Sequence, residues 1–189
     1  MGAAALTIAA GLLTVLDSGA AFAKKEKGSA PSGTVSCSKV TGSVTFDPPL
    51  TASGGSSSET TKVKVTVSDC TASSGVTVTK GTGTSSSSSS SNACTSLESP
   101  PTSPESFLVK WSPKSDGSTA VSYTGRTTVT SSSGDAGFEL TGGTSSGSFA
   151  ATGVTATSYT NETTAQITSM CTSKSGLKKL DITSGSTSG

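Results

Sequence analysis

Histidine is absent from all 189 residues, which excludes every mechanism that needs imidazole as base, proton shuttle or metal ligand. Aromatic side chains are scarce: one Trp, two Tyr and five Phe leave a thin core and too few rings for the girdles of an envelope barrel, whose strands of about 9 to 11 residues are also longer than those read here. Charge is nearly balanced, with 13 Lys and Arg against 12 Asp and Glu. No basic cluster interrupts the chain, which argues against nucleic acid and against an anionic membrane surface as partner. There is no Cys-x-x-Cys pair to act as a redox dithiol or to open a zinc site, and no closely spaced Asp/Asn ladder to cage calcium. A Ser-x-x-Lys nucleophile ahead of a helix is likewise missing, so no metal and no cofactor is expected.

What the chain does have begins with an apolar run from Ala3 to Leu16, followed by Asp17-Ser18-Gly19, then Ala21-Phe22-Ala23 and Lys24-Lys25. The run is shorter than the roughly 20 residues of a membrane-spanning helix, and the small residues at Ala21 and Ala23 fit a cleavage site. Residues 1–23 therefore read as a removable secretory signal, which places the mature protein outside the cytoplasm with no membrane span after cleavage. No Lys or Arg precedes the run, a departure that leaves the position of the true start open upstream. No Cys stands at the cleavage point to take a lipid, and the Gly/Ser-rich end carries no hydrophobic tail.

Ser and Thr outnumber every other residue type, and only 31% of the chain is hydrophobic, a composition that verges on disorder unless the apolar residues are placed periodically. They are. Val35 and Cys37, then Val44 and Phe46, alternate with hydroxyl residues until Pro48-Pro49 stops the strand. In Lys62-Val63-Lys64-Val65-Thr66-Val67-Ser68 every second residue is Val, the mark of a strand with one buried and one wet face. Val76 with Val78, Phe107-Val109-Trp111 ending at Pro113, and Val121-Tyr123 through Val129 continue the alternation. Turn signals stand at Ser115-Asp116-Gly117 and Ser133-Gly134-Asp135. Shorter strand candidates hold Phe138 with Leu140, Phe149 with Val154, Ala165 with Ile167, and Leu180 with Ile182. No window shows a helical period.

Between these segments Ser85 to Ser91 reads as a mobile low-complexity loop within 81–93, and Ser99 to Ser106, with Pro100, Pro101 and Pro104, as a second loop. The expected organisation is a signal at 1–23, a flexible leader at 24–33, one β-domain at 34–183 and a flexible tail at 184–189. Nine or ten short strands with turn-rich linkers predict an all-β fold, an antiparallel β-sandwich or partly closed Greek-key barrel, immunoglobulin-like in general architecture.

Four cysteines, Cys37, Cys70, Cys94 and Cys171, make an even number in an exported chain and predict two structural disulfides. Three pairings are open. Strand counting favours 37 with 70, because an up-down meander brings the opening of the first strand beside the close of the second, leaving 94 with 171.

Candidate sites are few. Asp47, Glu98, Glu105, Asp116, Asp135, Glu139 and Glu162 are the carboxylates from which a glycosidase pair would be drawn, although their setting reads as turns. Trp111 and Tyr123 are the residues for a sugar-stacking face, but Trp111 shares its parity with Phe107 and Val109 and reads as core. Asn161-Glu162-Thr163 matches an N-glycosylation acceptor and reads as an exposed turn.

Taken together, Cys37, the segment Gly42 to Leu50, Cys70, Cys94-Thr95-Ser96-Leu97, Lys110-Trp111, Gly147-Ser148-Phe149 and Cys171 resemble a group of uncharacterised secreted four-cysteine β-rich proteins of actinobacteria. The resemblance implies export and a β-rich fold and brings no activity with it. The expected function is that of a secreted, non-enzymatic protein with a structural or binding role in the cell envelope or extracellular space, its partner a cell-wall glycan or another envelope protein. The alternative is a carboxylate-based extracellular glycan hydrolase.

Overall fold

The structure is a computed structural model that describes residues 31–189 apart from 56–57, 100–102 and 115–116. The expected signal at 1–23, most of the leader, Pro100, Pro101, Ser115 and Asp116 lie outside the described residues.

The alternating segments form nine strands: β1 (Val35–Leu50), β2 (Glu59–Ala72), β3 (Lys80–Ser89), β4 (Glu105–Ser112), β5 (Ser118–Tyr123), β6 (Gly125–Thr130), β7 (Asp135–Gly147), β8 (Thr152–Thr163) and β9 (Leu177–Ser188). A 3-10 turn covers Cys94–Leu97, and one helix, α1, covers Thr164–Thr172. Every ladder is antiparallel and joins neighbours in the chain, save that β5 bonds to β7 and β9 returns to β1. β5 and β6 face β7 in one unbroken register, from Thr119 opposite Gly147 to Thr130 opposite Ala136. They act as a single stave. The result is an all-β closed barrel of eight antiparallel staves whose strand order is that of an up-and-down meander, where the sequence predicted a β-sandwich or partly closed Greek-key barrel of immunoglobulin-like architecture. Closure removes sheet edges, which a thinly cored chain has few other means of protecting.

Side chains sort by strand face. On β2 Lys62 and Lys64 are exposed while Val67 is buried, and β4 and β5 turn Trp111, Val121 and Tyr123 inward. Apolar side chains line the inside and Ser, Thr and Lys the outside, the reverse of the apolar outer band of a membrane-spanning barrel. Among the described residues no helix is long and apolar enough to cross a membrane.

The strands alternate direction, so the barrel has two ends. At one, where β1 starts and β9 finishes, Cys37, Val40, Val67, Val78, Trp111, Phe149 and Ile182 form a cluster. Gly81 on β3 makes room for it: a Cβ there would lie 2.8 Å from the Trp111 ring and from Val109 Cγ1. At the other, Phe46, Leu50, Leu177 and Leu180 pack under Ile167, Met170 and Cys171 of α1 and under Leu97 of the 3-10 turn. These two short elements close that mouth.

Six sequence expectations are corrected, the first being strand length: β1, β2, β7, β8 and β9 run 12 to 16 residues instead of being short. Ser85 to Ser89 is not a loop but the second half of β3, paired with Val63 to Glu59 of β2. The ladder satisfies a serine backbone as well as any other, so an already ordered partner overrides the low propensity of the side chains. Val76 and Val78, read as a strand, precede β3 in an irregular connection where Val78 is nonetheless buried. Ala165 and Ile167 lie on α1, begun by a capping box in which Thr163 and Gln166 bond each other's backbone N–H groups. Pro48-Pro49 does not end β1, which continues to Leu50 through a register shift after Thr45. The tail at 184–188 belongs to β9, with Ser188 opposite Thr155 and Thr187 opposite Cys37. The ordered β-domain therefore runs past 183.

Candidate functional site

Disulfides staple both ends. One joins Cys37 and Cys70, which face each other across the β1–β2 ladder with Cα atoms 3.9 Å apart. The other ties Cys94 of the 3-10 turn to Cys171 of α1 across 77 residues of sequence. This is the pairing that strand counting favours.

The interior holds a cavity of about 60 Å³ toward the end where β1 starts, bordered by Val67, Trp111, Val121, Tyr123, Phe149 and Val154. Trp111 and Tyr123, the two residues considered for a sugar-stacking face, both line this interior space and are only 7% and 5% exposed. Trp111 meets Phe149 edge to face at 5.5 Å, and Phe107 meets Tyr123 in the same way at 6.0 Å. The polar groups of Trp111, Thr119 and Ser145 on the wall are already engaged. Trp111 Nε1 donates to Thr119 Oγ1 at 2.7 Å, and the Thr119 hydroxyl donates to the Ser148 carbonyl. Ser145 Oγ donates to the Phe149 carbonyl at 3.0 Å and accepts from the Ala151 amide at 2.8 Å. Burial pushes the Tyr123 phenol up to about 12, so it stays protonated.

Of the candidate carboxylates, Asp47, Glu105, Asp135, Glu139 and Glu162 are dispersed over β1, β4, β7 and β8, Glu98 follows the Cys94–Leu97 turn, and Asp116 lies outside the described residues. Glu105 is committed to Arg126: Nη1 donates to Glu105 Oε1 at 2.6 Å, and Nη2 donates to the Ser96 and Ser99 carbonyls at 2.7 and 2.9 Å. The guanidinium also lies 6.0 Å over the Phe138 ring, and together these contacts pin the Cys94–Leu97 turn to the barrel. Asp135 accepts from Ser131 Oγ at 3.2 Å within the β6–β7 turn. Asp47 and Glu98 are exposed. Asn161 is exposed at the end of β8, and the hydroxyl of its sequon partner Thr163 serves as the N-cap of α1. Among the described residues no group of three or more Cys, Asp or Glu is placed to hold a metal ion.

Sequence reasoning missed the most unusual carboxyl. Glu59 opens β2 on the same parity as Val63, Val65 and Val67, so its side chain turns inward and is 3% exposed. That parity was the available signal. Burial raises its pKa above the ordinary 4.5; the bond from Thr61 Oγ1, 2.8 Å long, opposes the shift, and the charge of Asp47 adds to it.

A raised carboxyl pKa favours the folded state while the proton is bound, so the contribution of Glu59 is complete below about pH 4.5 and is lost as pH climbs through its folded value. Glu59→Gln keeps the acceptor for Thr61 and removes the titration. Its melting temperature is expected to exceed that of the wild type at pH 7 and to match it near pH 4. Equal differences at both pH values would show that the carboxyl is ionised and satisfied where it stands.

No protein-family model, curated protein or solved structure matches the chain.

Proposed function

We propose that the protein is an exported, non-enzymatic module with a binding or structural role in the cell envelope or extracellular space. The inner wall of the barrel carries this reading. Around the cavity it is largely apolar and small in free volume, and the polar groups of Trp111, Thr119 and Ser145 there are bonded to one another or to backbone. The cavity offers a substrate only the Tyr123 phenol, held protonated, and Glu59, which also turns inward, is not among the residues that border it, so the surface available for work is the outside. Two disulfides suit an oxidising compartment, and the predicted signal supplies the route there. The resemblance to secreted four-cysteine proteins of actinobacteria supports the same placement.

One observation favours the hydrolase alternative. Glu59 is a buried carboxyl held above its ordinary range with Asp47 close enough to add to the shift, the condition a general acid requires. Its near-complete burial counts against access by a glycan.

Fractionation with mass spectrometry tests the leading reading, and a reducing-end assay tests the alternative. Recovery from the medium or envelope fraction beginning at Lys24, with no release of reducing ends from cell-wall polysaccharide, is the expected result. Cytoplasmic retention with Met1 intact would contradict export. Hydrolysis by the wild type that disappears in Glu59→Gln would establish the enzyme instead.

A further inference from the structure

The chain has no basic run, yet the barrel builds a basic face from lysines far apart in sequence. On the outer side of β1 to β4 the registers align four rows. Lys39, Ser68, Lys80 and Ser112 form the first, and Thr66, Thr82, Lys110 and Ser118 the second. Lys64, Thr84 and Leu108 form the third, and Lys62 with Ser86 the fourth. Each row holds at least one lysine, all five of these lysines are exposed, and among the described residues no carboxylate lies in the rows across β2 to β4. Beside the second row a groove of about 480 Å³ is bordered by Lys80, Lys110 and Lys114 together with Thr82, Ser112 and Ser118. Asp47, Asp69 and Glu105 lie on β1, β2 and β4 beyond the ends of these rows, Glu105 paired with Arg126, and Asp181 on β9, across Ser43 from Lys64, is paired with Lys179; Asp135, Glu139 and Glu162 stand on β7 and β8, the opposite side of the barrel. A chain that is neutral in sum thus sets five lysines in carboxylate-free rows on one side and an acidic face, β7 with β8, on the other.

From Lys62 to the row of Lys80 is six residues along β2, roughly 20 Å at about 3.4 Å per residue, with strands about 4.8 Å apart. Neighbouring lysines thus sit within about one Debye length, and their fields add.

We propose that this face binds a linear acidic polysaccharide, an inference that rests on the exported, non-enzymatic reading above and names its partner class. The rows mix ammonium groups, which meet carboxylates or sulfates, with Ser and Thr hydroxyls, which exchange hydrogen bonds with sugar hydroxyls. Nucleic acid is a poorer fit. The face carries no Arg for bidentate phosphate or base contacts and no exposed aromatic ring on which a base would stack. A bilayer is a poorer fit as well, because the outside of a barrel is convex and Leu108 is the one large hydrophobic side chain exposed among the described residues.

The test uses the mature full-length protein and fluorescein-labelled polygalacturonate, read by anisotropy. Lys62→Gln/Lys110→Gln is compared with Lys174→Gln/Lys178→Gln, which removes the same charge away from the face. At about 50 mM salt the first pair is expected to weaken binding by roughly ten-fold or more and the second by less than about two-fold, and raising salt to about 200 mM is expected to weaken the wild type by roughly ten-fold or more. Equal weakening by the two pairs, or no binding by the wild type, overturns the proposal. Tighter binding to duplex DNA or to phosphatidylglycerol vesicles overturns it, as does polymer-independent self-association of the basic face with the acidic one. If binding fails while the protein is exported and inert, the polysaccharide assignment falls and the exported-module reading stands; cytoplasmic retention removes both.

Discussion

Trp111→Ala is expected to lower the stability of the barrel by about 3 to 5 kcal/mol, a loss large enough to leave much of a small domain unfolded. Three contacts are lost together. The indole fills the end of the interior against Val67, Val78 and Phe149, its ring meets Phe149 edge to face, and its Nε1 holds the Thr119 hydroxyl, itself 2% exposed. Truncation also enlarges a cavity that already measures about 60 Å³, and the neighbouring strands of a closed barrel cannot collapse to refill it without breaking ladders. Trp111→Phe retains most of the packing and loses the hydrogen bond, and is expected to cost less than half as much. Urea denaturation followed by far-ultraviolet circular dichroism measures both. If alanine costs no more than about 1 kcal/mol, the level of an ordinary surface change, then Trp111 lies outside the core and the inward parity of β4 is wrong.

Cys94→Ser/Cys171→Ser is expected to cost about 2 to 4 kcal/mol, more than Cys37→Ser/Cys70→Ser. The two bridges differ in what they constrain. Cys37 and Cys70 are register partners in a ladder of paired residues, so the fold holds them together with or without the bond. Cys94 and Cys171 join two short elements, the Cys94–Leu97 turn and α1, that no strand ladder connects. The loop each bond closes adds to the contrast: separations of 77 and 33 residues differ by about 0.7 kcal/mol in chain entropy. Removal of the 94–171 bond leaves the cap held over Phe46, Leu50 and Leu180 only by packing and by the Arg126 hydrogen bonds. Comparable losses for the two pairs in chemical denaturation would mean that packing and the Arg126 hydrogen bonds hold the cap without the disulfide.

The parts of this fold that the sequence made legible are those where the side chain decides. The Val-Lys alternation of β2 fixed its buried face, and the shared parity of Phe107, Val109 and Trp111 placed the tryptophan inside. Where the backbone decides, sequence patterns were silent. A run of serines has nothing to bury, and only the partner strand turns Ser85 to Ser89 into a stave. The same holds for the last residues of the chain, which β1 and β8 recruit from both sides. The helix was signalled by Thr163 and Gln166 at capping-box spacing but not by an apolar period, since most of its nine residues are small or polar. Glu59 was legible from its parity with Val63 and Val67. The basic face was not, because lysines from Lys39 to Lys110 meet only once the registers of four strands are known.

Closure is the claim on which the rest depends, and amide hydrogen exchange on β9 tests it most directly. If β9 lies between β1 and β8, with Ile182 opposite Gly42 and Ser186 opposite Thr157, the amides from 180 to 187 that donate into these ladders should exchange as slowly as those of β2. Exchange of Ser184 to Ser188 at the rate of a free peptide, with β2 protected, would mean that the barrel is open between β1 and β8.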